Sequence, residues 1–161
     1  MNNQLKFIDT YTVSAPIERA FATISDIRTY ADWGARTYLS CQSDGPPIVG
    51  RVVRVCVKGP LPFKIRFDLT VLRMKTPFEI QMAATGDIDG VWLLALKPES
   101  GRITIHSDWC FSPRRSPPRL LRPLLRPLFR WNHTASVARA YQGLQRYLDR
   151  QEGPATQSFR S

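Results

Sequence analysis

Two histidines are all the imidazole this chain has, and each sits beside a group that could put it to work. His106 stands two residues before Asp108 in an alternating stretch, so their side chains share one strand face. A carboxylate placed there can orient an imidazole for general acid/base catalysis. The alternation, however, puts Ile103, Ile105, Ser107, Trp109 and Phe111 on the dry face and leaves His106 and Asp108 on the wet one. A surface pair is therefore expected. His133 follows Asn132 at the start of the last helical pattern. The two could hook a ligand oxygen or supply a proton. Equally, Trp131 could pack under the strand ends while they bond to loop carbonyls, and both readings stand level. Arg130 lies two helical turns before Val137 on the same face, where it could meet an anionic headgroup. A surface arginine with its head in water is the plainer alternative.

Other chemistries lack their residues. Two distant histidines and no clustered thiolates make no metal ligand set. No serine sits in a nucleophile-elbow motif and no glycine-rich loop could cradle phosphate, so any reaction is expected to run without metal or cofactor. Cys41, Cys56 and Cys110 are odd in number with no C-x-x-C spacing, and read as buried thiols of a reducing compartment.

The elements that would position these groups begin with an alternating strand (Phe7, Asp9, Tyr11, Val13) that runs into a helix opened by Pro16, with Glu18 in its first turn. Ser14 or Ala15 is the expected cap. The helix covers Ile17 to Ser25, and Asp26 caps a second short one ending near Trp33-Gly34. Strands follow at Arg36–Ser43, Gly50–Lys58, Phe63–Met74, Phe78–Ala84, Val91–Leu96 and Arg102–Phe111, none with an internal proline. Phe63, Phe67, Phe78 and Met82 fall on the dry face. Gly86–Gly90 reads as a turn and Ser112–Arg119 as a loop. Seven strands joined by tight turns after the second suggest a meander. Pro123 and Pro127 each cost a helix interior about 3 kcal/mol, so the terminal helix is expected to be broken there, with Pro127 near its true first turn. Beyond them Val137, Tyr141, Leu144 and Leu148 form one apolar stripe, and Gly153-Pro154 ends the helix. Such a chain is α+β: a curved seven-stranded antiparallel sheet wrapped around a long C-terminal helix, with two short helices after the first strand.

Two stretches carry a family resemblance. Val13-Ser14-Ala15-Pro16, Ala20-Phe21, Ile24-Ser25-Asp26, Tyr30 and Trp33 resemble the opening of the START-like helix-grip superfamily, SRPBCC. Leu124 through His133 (LLRPLFRWNH), followed by Gly143-Leu144, resembles a terminal-helix motif of bacterial members of its polyketide cyclase/dehydrase group. The likeness runs from roughly residue 5 to 150. It implies a deep apolar cavity for lipids, sterols, plant hormones or aromatic polyketides, and in some members cyclisation or dehydration of the polyketide. No catalytic residue transfers by motif. The cavity candidates are Trp33, Val55, Phe67, Met82, Trp92, Trp109, Val137 and Tyr141 from the dry faces, with Arg130 and His133 at the mouth.

At 161 residues the chain reads as one ligand-binding domain, 1–152, with a tail over 153–161. No apolar run reaches the ~20 residues a bilayer span needs and no charged-then-apolar leader opens the chain, so a cytoplasmic protein is expected. Net charge is +10, concentrated where Arg114, Arg115, Arg119, Arg122, Arg126 and Arg130 crowd an acid-free segment. That segment suits an anionic membrane surface as a partner beside the hydrophobic small molecule, or simple solvation. The lack of an aromatic RNA platform argues against nucleic acid. Monomer and homodimer both remain open.

Overall fold

Seven antiparallel strands curl around one long helix in the computed structural model, which describes residues 4–114 apart from Ala35 and Leu61, and residues 122–152. The strands are β1 (Leu5–Val13), β2 (Tyr38–Gln42), β3 (Val52–Val57), β4 (Ile65–Lys75), β5 (Glu79–Gly86), β6 (Ile88–Glu99) and β7 (Arg102–Pro113). Their order is β1-β7-β6-β5-β4-β3-β2. β2 to β7 therefore form the expected meander, and β1 closes onto β7 with Phe7 opposite Trp109 and Asp9 opposite Ser107. Between β1 and β2 lie α1 (Ile17–Ser25), a single 3₁₀ turn (Ile27–Thr29) and α2 (Tyr30–Trp33). The helix they face is α3 (Arg122–Glu152). This is the helix-grip fold.

Alternation explains which residues point inward. On β3 and β4, Val53, Val55, Phe67, Leu69 and Val71 are buried; on β6 and β7, Trp92, Leu94, Leu96, Ile103 and Ile105 are. α3 seals this surface with Ala140, Leu144 and Leu148. Leu144 and Leu148 are fully buried and contribute about 2 kcal/mol each. Polar ties hold the helix at its far end. The side-chain amide of Gln145 accepts from the Ser14 backbone N–H at 2.9 Å, and Arg19 pairs with Glu152.

Several expectations need correction. The residue capping α1 is Pro16 itself, whose carbonyl receives the Arg19 and Ala20 N–H groups; neither Ser14 nor Ala15 caps it. Asp26 does cap the next turn, accepting from the Arg28 N–H at 3.2 Å. Phe63 and Phe78 lie just outside β4 and β5 and are exposed, since the strands start two residues and one residue later. The reading of Gly86–Gly90 as a turn is too long: β5 runs to Gly86 and β6 begins at Ile88. β6 also takes in Pro98, paired with Ile103 near its exposed end. The cysteines are free but half-buried, not buried.

The largest correction concerns α3, which is continuous through Pro127 from Arg122. Pro123 stands in the first turn, where its missing N–H has no intrahelical partner to lose. Pro127 forfeits one bond, to the carbonyl of residue 123, and its ring points into solvent. The charges against the helix are thus smaller than two interior prolines imply. Residues 115–121, including Arg115 and Arg119, lie outside the described residues, as do the side chain of Arg122 and the tail 153–161.

Candidate functional site

A cavity of about 450 Å³ opens between the concave face of the sheet and α3. Its wall is largely aromatic. Trp92 and Trp109 stand side by side, ring centres 4.7 Å apart, and Phe67 meets Trp109 edge-on at 5.8 Å. Tyr30 from α2 touches Trp33, Tyr38 and Trp92, and its hydroxyl donates to the Ile24 carbonyl at 2.6 Å. α3 supplies Phe129, Asn132, His133, Ser136, Val137, Ala140 and Tyr141, a face repeating every three to four residues. Asn132 lies directly over Gly59, where any Cβ would meet its side-chain oxygen at 2.1 Å. Exposed Phe63 and Lys64, with Phe129 against Phe63 at 6.4 Å, mark the mouth.

Of the residues read as cavity candidates, Trp33, Phe67, Trp92, Trp109, His133, Val137 and Tyr141 stand on this wall. Val55 and Met82 do not: both are buried in the packing beside it, Val55 opposite Phe67 and Met82 opposite Trp92 on the neighbouring strands. Arg130 is exposed and also off the wall, although Phe129, Asn132 and His133 beside it on α3 are on it. Trp131 does not pack under the strand ends either; it is 57% exposed. His106 and Asp108 are on the outer face as expected, where Thr10 Oγ1 lies 3.3 Å from the His106 ring and Lys6 pairs with Asp108 at 3.2 Å.

Two sets of polar groups stand out at the cavity. His133 Nε2 is 2.7 Å from Asp9 Oδ2, and its ring stacks on Phe7 at 4.0 Å. A carboxylate oxygen accepts, so Nε2 carries the hydrogen of this bond, and in the neutral imidazole Nδ1 is the nitrogen free to accept a proton. Tyr11 also donates to Asp9 and stacks on Tyr141 at 3.5 Å. Asp9 was missed by the sequence reading, although it stands in the inward set Phe7, Asp9, Tyr11, Val13. A carboxylate in such a set was the available signal. The second set is without partners: Trp109 Nε1 and Ser136 Oγ are buried and make no hydrogen bond among the described residues. Trp92 Nε1, by contrast, donates to Ser107 Oγ at 2.9 Å.

Burial holds the phenols neutral. Desolvation is the first cause of the raised pKa values of Tyr11, Tyr30, Tyr38 and Tyr141, with Asp9 adding to Tyr11 and neighbouring tyrosines adding to Tyr30 and Tyr141. The folded chain thus keeps protons that the unfolded chain sheds above its ordinary tyrosine value of about 10. This stability is fully present below that pH and is lost as pH climbs toward the folded values. In an alkaline titration, tyrosinate absorbance from these four side chains should appear together with unfolding. A smooth, reversible rise near pH 10 in the folded state large enough to include these four side chains would contradict the packing described.

Comparison with known proteins agrees with this architecture. The Zhui aromatase/cyclase from a Streptomyces species is similar at TM-score 0.77 and 12% identity, covering 95% of this chain and 98% of that one. A START superfamily protein from Mycobacterium smegmatis is similar at TM-score 0.70 and 14% identity (91% and 98%), and ginseng major latex-like protein 151 from Panax ginseng at 0.69 and 6% (91% and 98%). At such identities the likeness is one of fold. No curated protein matches the sequence. A family model described as polyketide cyclase/dehydrase and lipid transport matches residues 4–149, and the chain belongs to that family.

Proposed function

We propose that this chain binds one neutral, ring-containing hydrophobic molecule bearing oxygen functions, and acts as its carrier or sensor. One observation carries the reading: an apolar, aromatic cavity of about 450 Å³ lined in part by Trp109 and Ser136, whose Nε1 and Oγ are buried without hydrogen-bond partners among the described residues. Leaving such a group unsatisfied costs about 1–3 kcal/mol, which a ligand oxygen would recover once a small side-chain rotation turns the group to the cavity. The acidic and basic wall residues are Lys64 and Asp87 at the exposed rim, and His133, already paired with Asp9. The deeper wall thus offers nothing to neutralise a charged ligand, and the flat faces of Trp92 and Trp109 favour rings.

The test is a fluorescence titration with 2-naphthol, naphthalene and 2-naphthoate. Naphthol should bind on the order of tenfold tighter than naphthalene, and naphthoate weakest. Trp109→Phe and Ser136→Ala should remove the preference for naphthol while leaving naphthalene binding unchanged. Ser136→Ala should also raise the stability of the ligand-free protein by about 1 kcal/mol, through helix propensity and the lost unsatisfied hydroxyl. Equal binding of naphthol and naphthalene by the unmodified chain would overturn the reading.

A second reading, a polyketide cyclase/dehydrase-type enzyme, is favoured by the Asp9–His133 pair at 2.7 Å. A carboxylate-oriented imidazole on an apolar wall can take a proton from a carbon between two carbonyls and return it to a leaving hydroxyl. Turnover of a poly-β-keto substrate that disappears in His133→Gln, with binding retained, would support it.

A further inference from the structure

We propose that the surface of α3 around Arg126–Trp131, together with the cavity mouth, is a docking surface for an anionic lipid membrane. Leu128 and Trp131, three residues apart on the outer side of the helix, are 37% and 57% exposed. Phe63, 45% exposed, continues the apolar arc through its contact with Phe129 to the rim of the cavity. Side chains of this size left in water on one edge of a domain mark an interaction site. A tryptophan beside a leucine and a phenylalanine suits the boundary between headgroups and acyl chains.

Charge selects the occupant. No aspartate or glutamate occurs between Asp108 and Asp149, a stretch that contains every residue of α3 up to Leu148. Arg126, Arg130 and Arg139 are exposed and form no ion pair among the described residues, and Lys64 is exposed at the mouth. Two nearby charges are already engaged: Arg114 by Asp89 at 3.0 Å, and Asp87 by the Arg66 backbone N–H at 2.9 Å. A second copy of the chain would set these same arginines against themselves, since a two-fold interface pairs a patch with its own image. A nucleic acid would neutralise them but leave Leu128 and Phe63 in water. An anionic bilayer takes both: Leu128 and Trp131 seat toward the acyl chains while the long side chains of Arg126 and Arg130, on the other side of α3, reach its phosphates. The cavity mouth is then held against the lipid from which a hydrophobic molecule comes. Vesicle docking stands or falls apart from what the cavity binds.

The experiment is co-sedimentation of the full chain with phosphatidylglycerol–phosphatidylcholine vesicles and with pure phosphatidylcholine vesicles, at low and high salt. Binding is expected to the anionic vesicles, weakening with salt. Leu128→Gln/Trp131→Gln and Arg126→Gln/Arg130→Gln, all at exposed positions, should each weaken it on the order of tenfold. The same two double variants should leave naphthol binding unchanged. Brominated acyl chains should quench tryptophan fluorescence in the unmodified chain and not in Trp131→Phe. Absence of binding, equal binding to neutral vesicles, or binding unchanged in both double variants would overturn the proposal. So would a dimer that Trp131→Gln converts to monomer, or retention of RNA without retention of vesicles.

Discussion

Gly143→Ala should cost the fold about 3 kcal/mol or more, read as a lower denaturant midpoint with unchanged slope. A Cβ at this position would lie 1.8 Å from the carbonyl oxygen of Trp33 and 2.9 Å from its carbonyl carbon. Both are backbone atoms at the end of α2, so no rotamer change relieves the clash. α3 must move off α2, and Leu144, fully buried next door, moves with it. Because Trp33 and Tyr30 line the cavity, ligand binding should weaken in parallel. Gly101→Ala is the control. Nothing lies within 4 Å of a Cβ there, and only its φ of +77° resists the change, so about 1 kcal/mol should be lost with binding intact. Similar losses for the two variants would show that α2 and α3 are not packed this closely.

Val137→Trp should abolish ligand binding, a drop of at least about a hundredfold, while leaving stability within about 1 kcal/mol. Val137 is half-buried on the cavity face of α3, next to Ser136 and one turn before Ala140 and Tyr141. An indole there grows into open volume and not into packed core, so the usual penalty for overpacking is small. It occupies the space a ligand ring would take between α3 and Trp109. Thermal unfolding and the naphthol titration measure the two halves of this expectation. Full naphthol affinity in Val137→Trp would place the ligand elsewhere.

The fold was legible because its signals are local. Period-two alternation on β3, β4 and β7, and the stripe Val137, Tyr141, Leu144, Leu148, name the concave face and the helix that covers it. What escaped depends on curvature and on distance along the chain. Alternation says that Val55 and Met82 point inward, but not that Phe67 and Trp92, opposite them on the next strands, reach the cavity while these two stay in the packing. Helix phase puts Arg130 and Val137 on one face, but phase alone does not say that Val137 is half-buried on the wall and Arg130 exposed off it. Propensity counted two prolines against α3, whereas one falls in the first turn. The Asp9–His133 pair joins residues 124 apart, so the carboxylate was readable only as an oddity on an otherwise apolar strand face. Gly143 was legible as part of a motif, and its reason, the Trp33 carbonyl, was not.

Native mass spectrometry of the full chain, purified without detergent and compared with Val137→Trp, asks most directly whether the cavity holds such a molecule. The expected result is a fraction of the unmodified protein carrying one uncharged, oxygen-containing small molecule per chain. The adduct should be displaced by excess 2-naphthol and absent from Val137→Trp. A protein that carries nothing, and that takes up no naphthol when it is offered, would contradict the cavity's role as a binding site; so would an adduct that survives in Val137→Trp.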